Sequence, residues 1–159
     1  MAWAAGFFDG EGTVAIARSR ARQQDIHELS AIAVNTKLSP LLRFKELWGG
    51  SIYGPTRSKN PHHAPSYRWQ ANGVRAARAL REMLPYLVIK GEAAEVGLAL
   101  QALKRRQGRT AVLATVEVRE REALLQRLRE LNRKGVAPEG ARPVPVPRAK
   151  VQLRLIENE

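Results

Sequence analysis

The apolar residues of this chain change period at Thr13, and that change constrains the fold more than any other feature. Over MAWAAGFFDG they follow helical spacing, with Trp3 and Phe7 one turn apart and Ala2, Gly6 and Gly10 along a second stripe. One side of such a helix is bulky and the other is bare. From Thr13 the spacing becomes two: Val14 and Ile16 alternate with Thr13, Ala15 and Ala17, until RSRARQQD ends the alternation in an arginine-rich turn. A second strand is expected from His27 to Val34. The same order then returns. Ser39-Pro40 opens a helix with Leu41, Leu42, Phe44, Leu47 and Trp48 as its apolar side, and Gly49-Gly50 ends it. SIYGPTRSKNPHHAPSYRWQ reads as a hairpin around a loop holding Pro55, Pro61 and Pro65. Asn72 or Gly73 begins a helix that reaches Leu84 through Val74, Ala77, Leu80 and Met83, before Pro85 breaks it.

Helix, two strands, helix, two strands, helix is an α+β order. It predicts an antiparallel four-stranded sheet covered by helices on one face. Residues 1 to 37 and 39 to 70 share the α-β-β order without sharing sequence. Two further amphipathic helices are expected over residues 91 to 106, through Ala94, Leu98 and Leu103, and 117 to 133, through Leu124, Leu125, Leu128 and Leu131. Beyond Gly135 the composition shifts, with four of the nine prolines between Pro138 and Pro147. The expected division is a domain over 1–134 and an extended strap or tail over 135–159.

A length of 159 residues suits one domain with a real core. Lys and Arg number 27 against 15 Asp and Glu, a formal charge of +12 that favours a polyanionic partner, nucleic acid ahead of anionic membrane. No apolar run approaches the roughly 20 residues of a spanning helix, and the N-terminus does not read as a signal peptide. The expectation is a soluble intracellular protein of the cytoplasm, nucleoid or organelle matrix. The chain has no cysteine, which excludes a disulfide framework, a thiolate nucleophile and cysteine-ligated zinc. Catalysis, if any, falls to carboxylates, amines, hydroxyls or imidazoles.

The first helix carries the most specific chemistry. Gly6 and Gly10 beside Ala2 give it a side almost without side chains, so a second copy can approach to backbone contact about a two-fold axis. Asp9 and Glu11 fall where the helix ends, and its negative pole there disfavours carboxylates unless a cation compensates. A metal ion is one such cation; the other reading is a polar turn leaving a core helix. In a symmetric dimer both Glu11 side chains come near the axis, where two metal ions face the two strands of one duplex.

Residues 3 to 12, WAAGFFDGEG, are similar to the signature of the LAGLIDADG homing endonucleases in the form W-L-A-G-F-F-D-G-E-G, with Ala4 the one departure. The resemblance continues through AVNTKLSPLLRFKELWGGSIY, SYRWQANG and LPYLVIK, over about the first 105 residues. It implies an α-β-β-α-β-β-α core with a DNA-binding sheet, followed by C-terminal helices. With one motif in the chain, it implies a homodimer joined through Ala2, Gly6 and Gly10, acting on double-stranded DNA. The implied reaction is a Mg²⁺-dependent double-strand break in a long, near-palindromic target, with Ca²⁺ or Mn²⁺ able to substitute for binding or activity. No membrane and no small-molecule cofactor are implied. Glu11 matches the metal-binding acid of the family, the Gly10 carbonyl joins it, and Asp9 matches the other motif acid, to which a structural role is assigned. Lys90 matches a basic residue beside the attacking water or scissile phosphate, its alternative being a surface lysine where a helix starts. Asn35, or Thr36 if the register slips, matches a polar residue of the water network. An arginine found in some relatives falls here on Ser39-Pro40, leaving Lys37 or Arg43 to substitute. The competing readings are a non-cleaving nucleic-acid-binding protein of the same fold, such as an RNA maturase, and a basic ribosome-associated factor.

Period two also names the groove-facing residues. Tyr67 and Trp69 turn to the core, so Ser66, Arg68 and Gln70 turn outward, Arg68 suited to a guanine edge and Gln70 to an adenine. Thr13, Ala15, Glu28, Ser30 and Tyr53 share that side. Arg18, Arg20, Arg22, Arg57 and Lys59 are expected at hairpin tips, gripping phosphates, and Lys37 joins the DNA-contacting set. His62 and His63 read as a loop-tip pair touching DNA or solvent, for want of further metal ligands.

Overall fold

A computed structural model describes residues 1–21, 24–57, 60, 62–106 and 115–133. Five helices and four strands follow in the order α1 (Ala2–Glu11), β1 (Gly12–Ala21), β2 (Gln24–Asn35), α2 (Leu38–Trp48), β3 (Ser51–Thr56), β4 (Ser66–Asn72), α3 (Gly73–Met83), α4 (Gly91–Arg106) and α5 (Thr115–Leu131). A single 3₁₀ turn, Leu84–Tyr86, follows α3 where Pro85 stops the α-helix. The proline-rich stretch 135–159 lies outside the described residues. Among the described residues no helix is long and apolar enough to cross a membrane.

The strands form one sheet in the order β1-β2-β4-β3, every neighbouring pair antiparallel. Its register turns Val14, Ile16, Leu29, Ala31, Ala33, Trp69 and Ala71 to one face, and all of them are buried. The helices lie on that face. α4 comes close to the strands because of Gly97, where a Cβ would stand 2.7 Å from Leu29 Cδ1 and 3.2 Å from Val14 Cγ1.

Aromatic packing fixes the motif helix. Phe44 of α2 lies 5.1 Å from both Trp48 and Trp69 and 6.4 Å from Phe8 of α1 (ring centroids). Such pairs add about 1 kcal/mol each to ordinary burial. The Trp69 indole N–H donates to the Gly49 carbonyl at 2.8 Å, and that of Trp48 to Glu82 at 2.8 Å, so neither buried nitrogen is left without a partner.

Several details differ from the spacing-based expectation. β1 continues through Arg18 and Ser19 to Ala21, and β2 starts at Gln24, so the arginine-rich segment is mostly strand and not turn. Small residues on the outer side, Ala15, Ala17 and Ser19, disguise the alternation there. Val74 of α3 and Leu42 of α2 are exposed, while Ala76 and Ala79 are buried, because α3 packs close enough for alanine to fill the gap.

Candidate functional site

At the C-terminal end of α1 the two motif acids have opposite surroundings. Asp9 is buried, and its carboxylate accepts three backbone N–H groups: Val88 at 2.8 Å, Ile89 at 3.2 Å and Lys90 at 2.9 Å. In return the Lys90 ammonium donates to the Asp9 carbonyl. Burial pushes the Asp9 carboxyl upward, but the three N–H donors and the Lys90 charge outweigh it and hold the group below its ordinary range. Asp9 is therefore a clamp. It pins the segment 88–90 to α1, while Lys90 brings a positive charge to the negative pole of the helix.

Two residues on is 200° around the helix, so Glu11 turns away from this clamp. It is exposed and has no hydrogen-bond or ion-pair partner among the described residues. Gly12 follows at once as the first residue of β1, and a Cβ there would collide with the Phe8 carbonyl and ring. Glycine at this point is what lets α1 turn directly into the strand.

Glu11 and Lys90 line one cleft of about 540 Å³, together with Gly10, Thr13, Val34 and Glu92 among others. α5 closes its far side. Leu131 and Asn132 line it, and the Asn132 amide donates to the Val14 carbonyl at 2.9 Å. Glu92, the second carboxylate of the cleft, is held by Arg127 of α5. Asp9 as a backbone clamp, Glu92 and Asn132 were not singled out by spacing, since each depends on a partner far along the chain. Among the described residues no three carboxylate or imidazole side chains cluster tightly enough to enclose a metal ion alone. The donors available are the Glu11 carboxylate and nearby main-chain carbonyls, including that of Gly10, all hard oxygens that fit magnesium or calcium rather than a softer metal.

The sheet face away from the helices begins at this cleft, because Thr13 and Val34 belong to both. By register the open face holds Thr13, Ala15 and Ala17 on β1, Ile26, Glu28, Ser30, Ile32 and Val34 on β2, Ser66, Arg68, Gln70 and Asn72 on β4, and Ser51 and Tyr53 on β3. The side expected for Thr13, Ala15, Glu28, Ser30, Tyr53, Ser66, Arg68 and Gln70 is the side observed. The Arg68 guanidinium lies 5.3 Å from the Tyr53 ring centroid, which orients it while leaving its N–H edges available. Gln70 Nε2 and Ser30 Oγ each donate to Asn72 Oδ1, both at 2.9 Å.

Other expected positions are corrected. Arg18 is not at a hairpin tip. It pairs with His27 in the ladder, shares the parity of Val14 and Ile16, and lies 3.6 Å from Glu122 of α5. His27, fully buried, bonds the same carboxylate at 3.2 Å and holds it below its ordinary range. Arg20 is likewise in the ladder, opposite Asp25, while Arg22 and Lys59 lie outside the described residues. Arg57 and Lys37 are exposed, as are His62 and His63. Asn35 does not reach the cleft: its Oδ1 accepts the Lys37 N–H at 2.8 Å, a local turn ahead of α2, and the β2 side chain at the cleft is Val34. Thr36 does not line the cleft either. Ala2, Gly6 and Gly10 are all exposed, with open space where a Cβ at either glycine would stand.

No protein-family model matches the chain, and no curated protein matches it. Solved structures do. The homing endonuclease I-CvuI, in complex with its target in the presence of calcium, superposes with a TM-score of 0.65 at 19% identity, over 85% of this chain and 82% of that one. The archaeal intron-encoded homing endonuclease I-Vdi141I, complexed with DNA, gives 0.67 at 14% identity, over 86% of each chain. The LAGLIDADG homing endonuclease I-GzeII, in complex with its DNA target, gives 0.57 at 14% identity, over 82% of this chain but 42% of that one. With the helix ending in Asp9-Gly10-Glu11-Gly12, the β1-β2-β4-β3 sheet and the helices on one of its faces, this chain has the LAGLIDADG homing endonuclease fold.

Proposed function

We propose that the chain is a site-specific DNA endonuclease that works as a homodimer and makes metal-dependent double-strand breaks in a long, near-palindromic target. The observation that carries this reading is the meeting of Glu11 and Lys90 in one cleft that opens onto a sheet face left uncovered by the helices of the described residues. DNA complexes of similarly folded proteins support it.

In this reading the sheet face lies in the major groove and the cleft meets the backbone of the strand to be cut. Arg68 and Gln70 contact base edges, and Arg57 and Lys37 contact phosphates. The Lys90 ammonium, held against the end of α1, stabilises negative charge developing on the scissile phosphate. Asp9 keeps Lys90 and its neighbours in position without touching the reacting atoms. Glu11 and the Gly10 carbonyl would hold a divalent cation, hard oxygen donors of the kind that magnesium takes. When bound, that cation supplies charge stabilisation to the attacking and leaving oxygens.

The second copy is argued from α1. Ala2, Gly6 and Gly10 leave one side bare, and large apolar side chains stand exposed nearby: Trp3 at 50%, Val88 at 88% and Ile89 at 74%. Apolar surface of this kind is what a partner covers. Two copies joined through α1 bring two Glu11 carboxylates to one duplex, and identical half-site readers require a near-palindrome.

The test is cleavage of a randomised duplex library with magnesium, by wild type and by Glu11→Gln. Wild type is expected to cut a discrete set of sites, and the variant to bind them while cutting on the order of 10³-fold more slowly. Wild type that binds duplex but cuts nothing with magnesium or manganese makes the chain a non-cleaving nucleic-acid-binding protein instead. A strictly monomeric complex with DNA sinks the dimer.

A further inference from the structure

The open face is divided chemically along its strands. At the cleft end β2 presents Ile32 and Val34 outward, with Thr13 opposite Ile32 on β1, while Ser30 and Glu28 make the same face polar farther along the strand. Val34 is 38% exposed, and no helix of the described residues covers it. Apart from the Thr13 hydroxyl, this strip offers methyl groups and no hydrogen-bonding side chain. β4 beside it offers the reverse: Arg68 opposite Val34, Gln70 opposite Ile32 and Asn72 opposite Ser30. These polar side chains do not fold over the strip. Arg68 lies over Tyr53 on β3, away from β2, and Gln70 is tied along its own strand to Asn72.

We propose that each half-site of the target carries thymine, recognised through its 5-methyl group, at the base pairs covered by Ile32 and Val34. The inference rests on the endonuclease reading and names what its reading face selects. The floor of the major groove carries one apolar group, the thymine methyl; its other groups are donors and acceptors. A valine or isoleucine laid over guanine, or over the exposed edge of adenine, strips water from polar groups and returns no hydrogen bond. Laid over thymine, it buries methyl against methyl. Because Thr13 and Val34 also line the cleft, the strip starts beside the cutting site, and the thymines fall in the inner part of each half-site. The same strip disfavours RNA, whose uracil lacks the methyl and whose major groove is too narrow for the sheet.

The test begins with site selection from a random duplex library by wild-type protein. The selected sites are then rebuilt with deoxyuridine replacing thymine one position at a time, and binding is measured with Glu11→Gln protein so that cutting does not deplete the duplex. Thymine is expected at symmetric inner positions, and each uracil there should weaken binding by about fourfold, the worth of one buried methyl. Uracil elsewhere should have no effect, and Val34→Ala combined with Glu11→Gln should abolish the sensitivity at one position. Sharp site selection with no response to uracil at any inner position, or with G·C selected there, overturns the inference and leaves the endonuclease reading intact. Failure to select any site overturns both.

Discussion

The two faces of the sheet are made from alternate residues of the same strands, and they differ in almost every physical respect. On the covered face Val14, Leu29, Ala31 and Trp69 are closed off from solvent by the helices. On the open face their immediate neighbours Thr13, Ser30, Ile32, Arg68 and Gln70 meet other residues of the sheet, Arg68 over Tyr53 and Ser30 and Gln70 on Asn72. The end of α1 repeats the division in helical geometry, with Asp9 buried under the segment 88–90 and Glu11 two residues later at the cleft. A position's parity therefore decides whether a substitution is felt as lost stability or, on the endonuclease reading, as altered recognition.

The sharpest way to break this comparison is Trp69→Ala. It removes a fully buried ring and its bond to Gly49, and should lower folding stability by about 3–5 kcal/mol in denaturant unfolding; a loss under about 1 kcal/mol means that the face is less packed than described. Asp9→Asn should remove about 1.5–3 kcal/mol, because an amide oxygen satisfies the three N–H groups less well than a carboxylate. Its cleavage rate should fall more than its DNA affinity, since the main chain that carries Lys90 is held less firmly but the sheet is not disturbed. The same pair of proteins tests the sign of the pH effect. The folded-state pKa of Asp9 is depressed, so its contribution is present above the unfolded value near 3.8 and is lost as pH falls below that through the folded value. The stability difference between wild type and Asp9→Asn should stay constant above about pH 5 and shrink below it. A difference that grows on acidification contradicts the clamp. Smallest is Arg68→Ala, which should leave folding within about 0.5 kcal/mol. Its effect belongs to recognition, relaxing discrimination at one base pair by roughly 1–3 kcal/mol in competition binding.

Much of this was legible in the sequence because it depends on neighbours in the chain. Period two separated Tyr67 and Trp69 from Ser66, Arg68 and Gln70, and helical spacing located α4 over 91–106. What stayed hidden depends on distant partners. Arg18 looks like a phosphate-gripping tip until Glu122 of α5 is seen to meet it and the buried His27. Asn35 looks like a cleft residue until its amide is found in the turn before α2. Asp9 has no legible role until the N–H groups of Val88, Ile89 and Lys90 arrive from about 80 positions away. Small residues mislead as well: Ala76 and Ala79 fill a core that spacing assigned in part to Val74.

That last separation has a consequence for how the protein comes into being. The first carboxylates of the chain emerge early in synthesis, but the main-chain groups that organise the cutting end emerge with residues 88 to 90. The cleft is finished later still, when Leu131 and Asn132 arrive to line its far side. On the endonuclease reading, competence to cut waits for chain made long after α1, so the order of synthesis itself delays it.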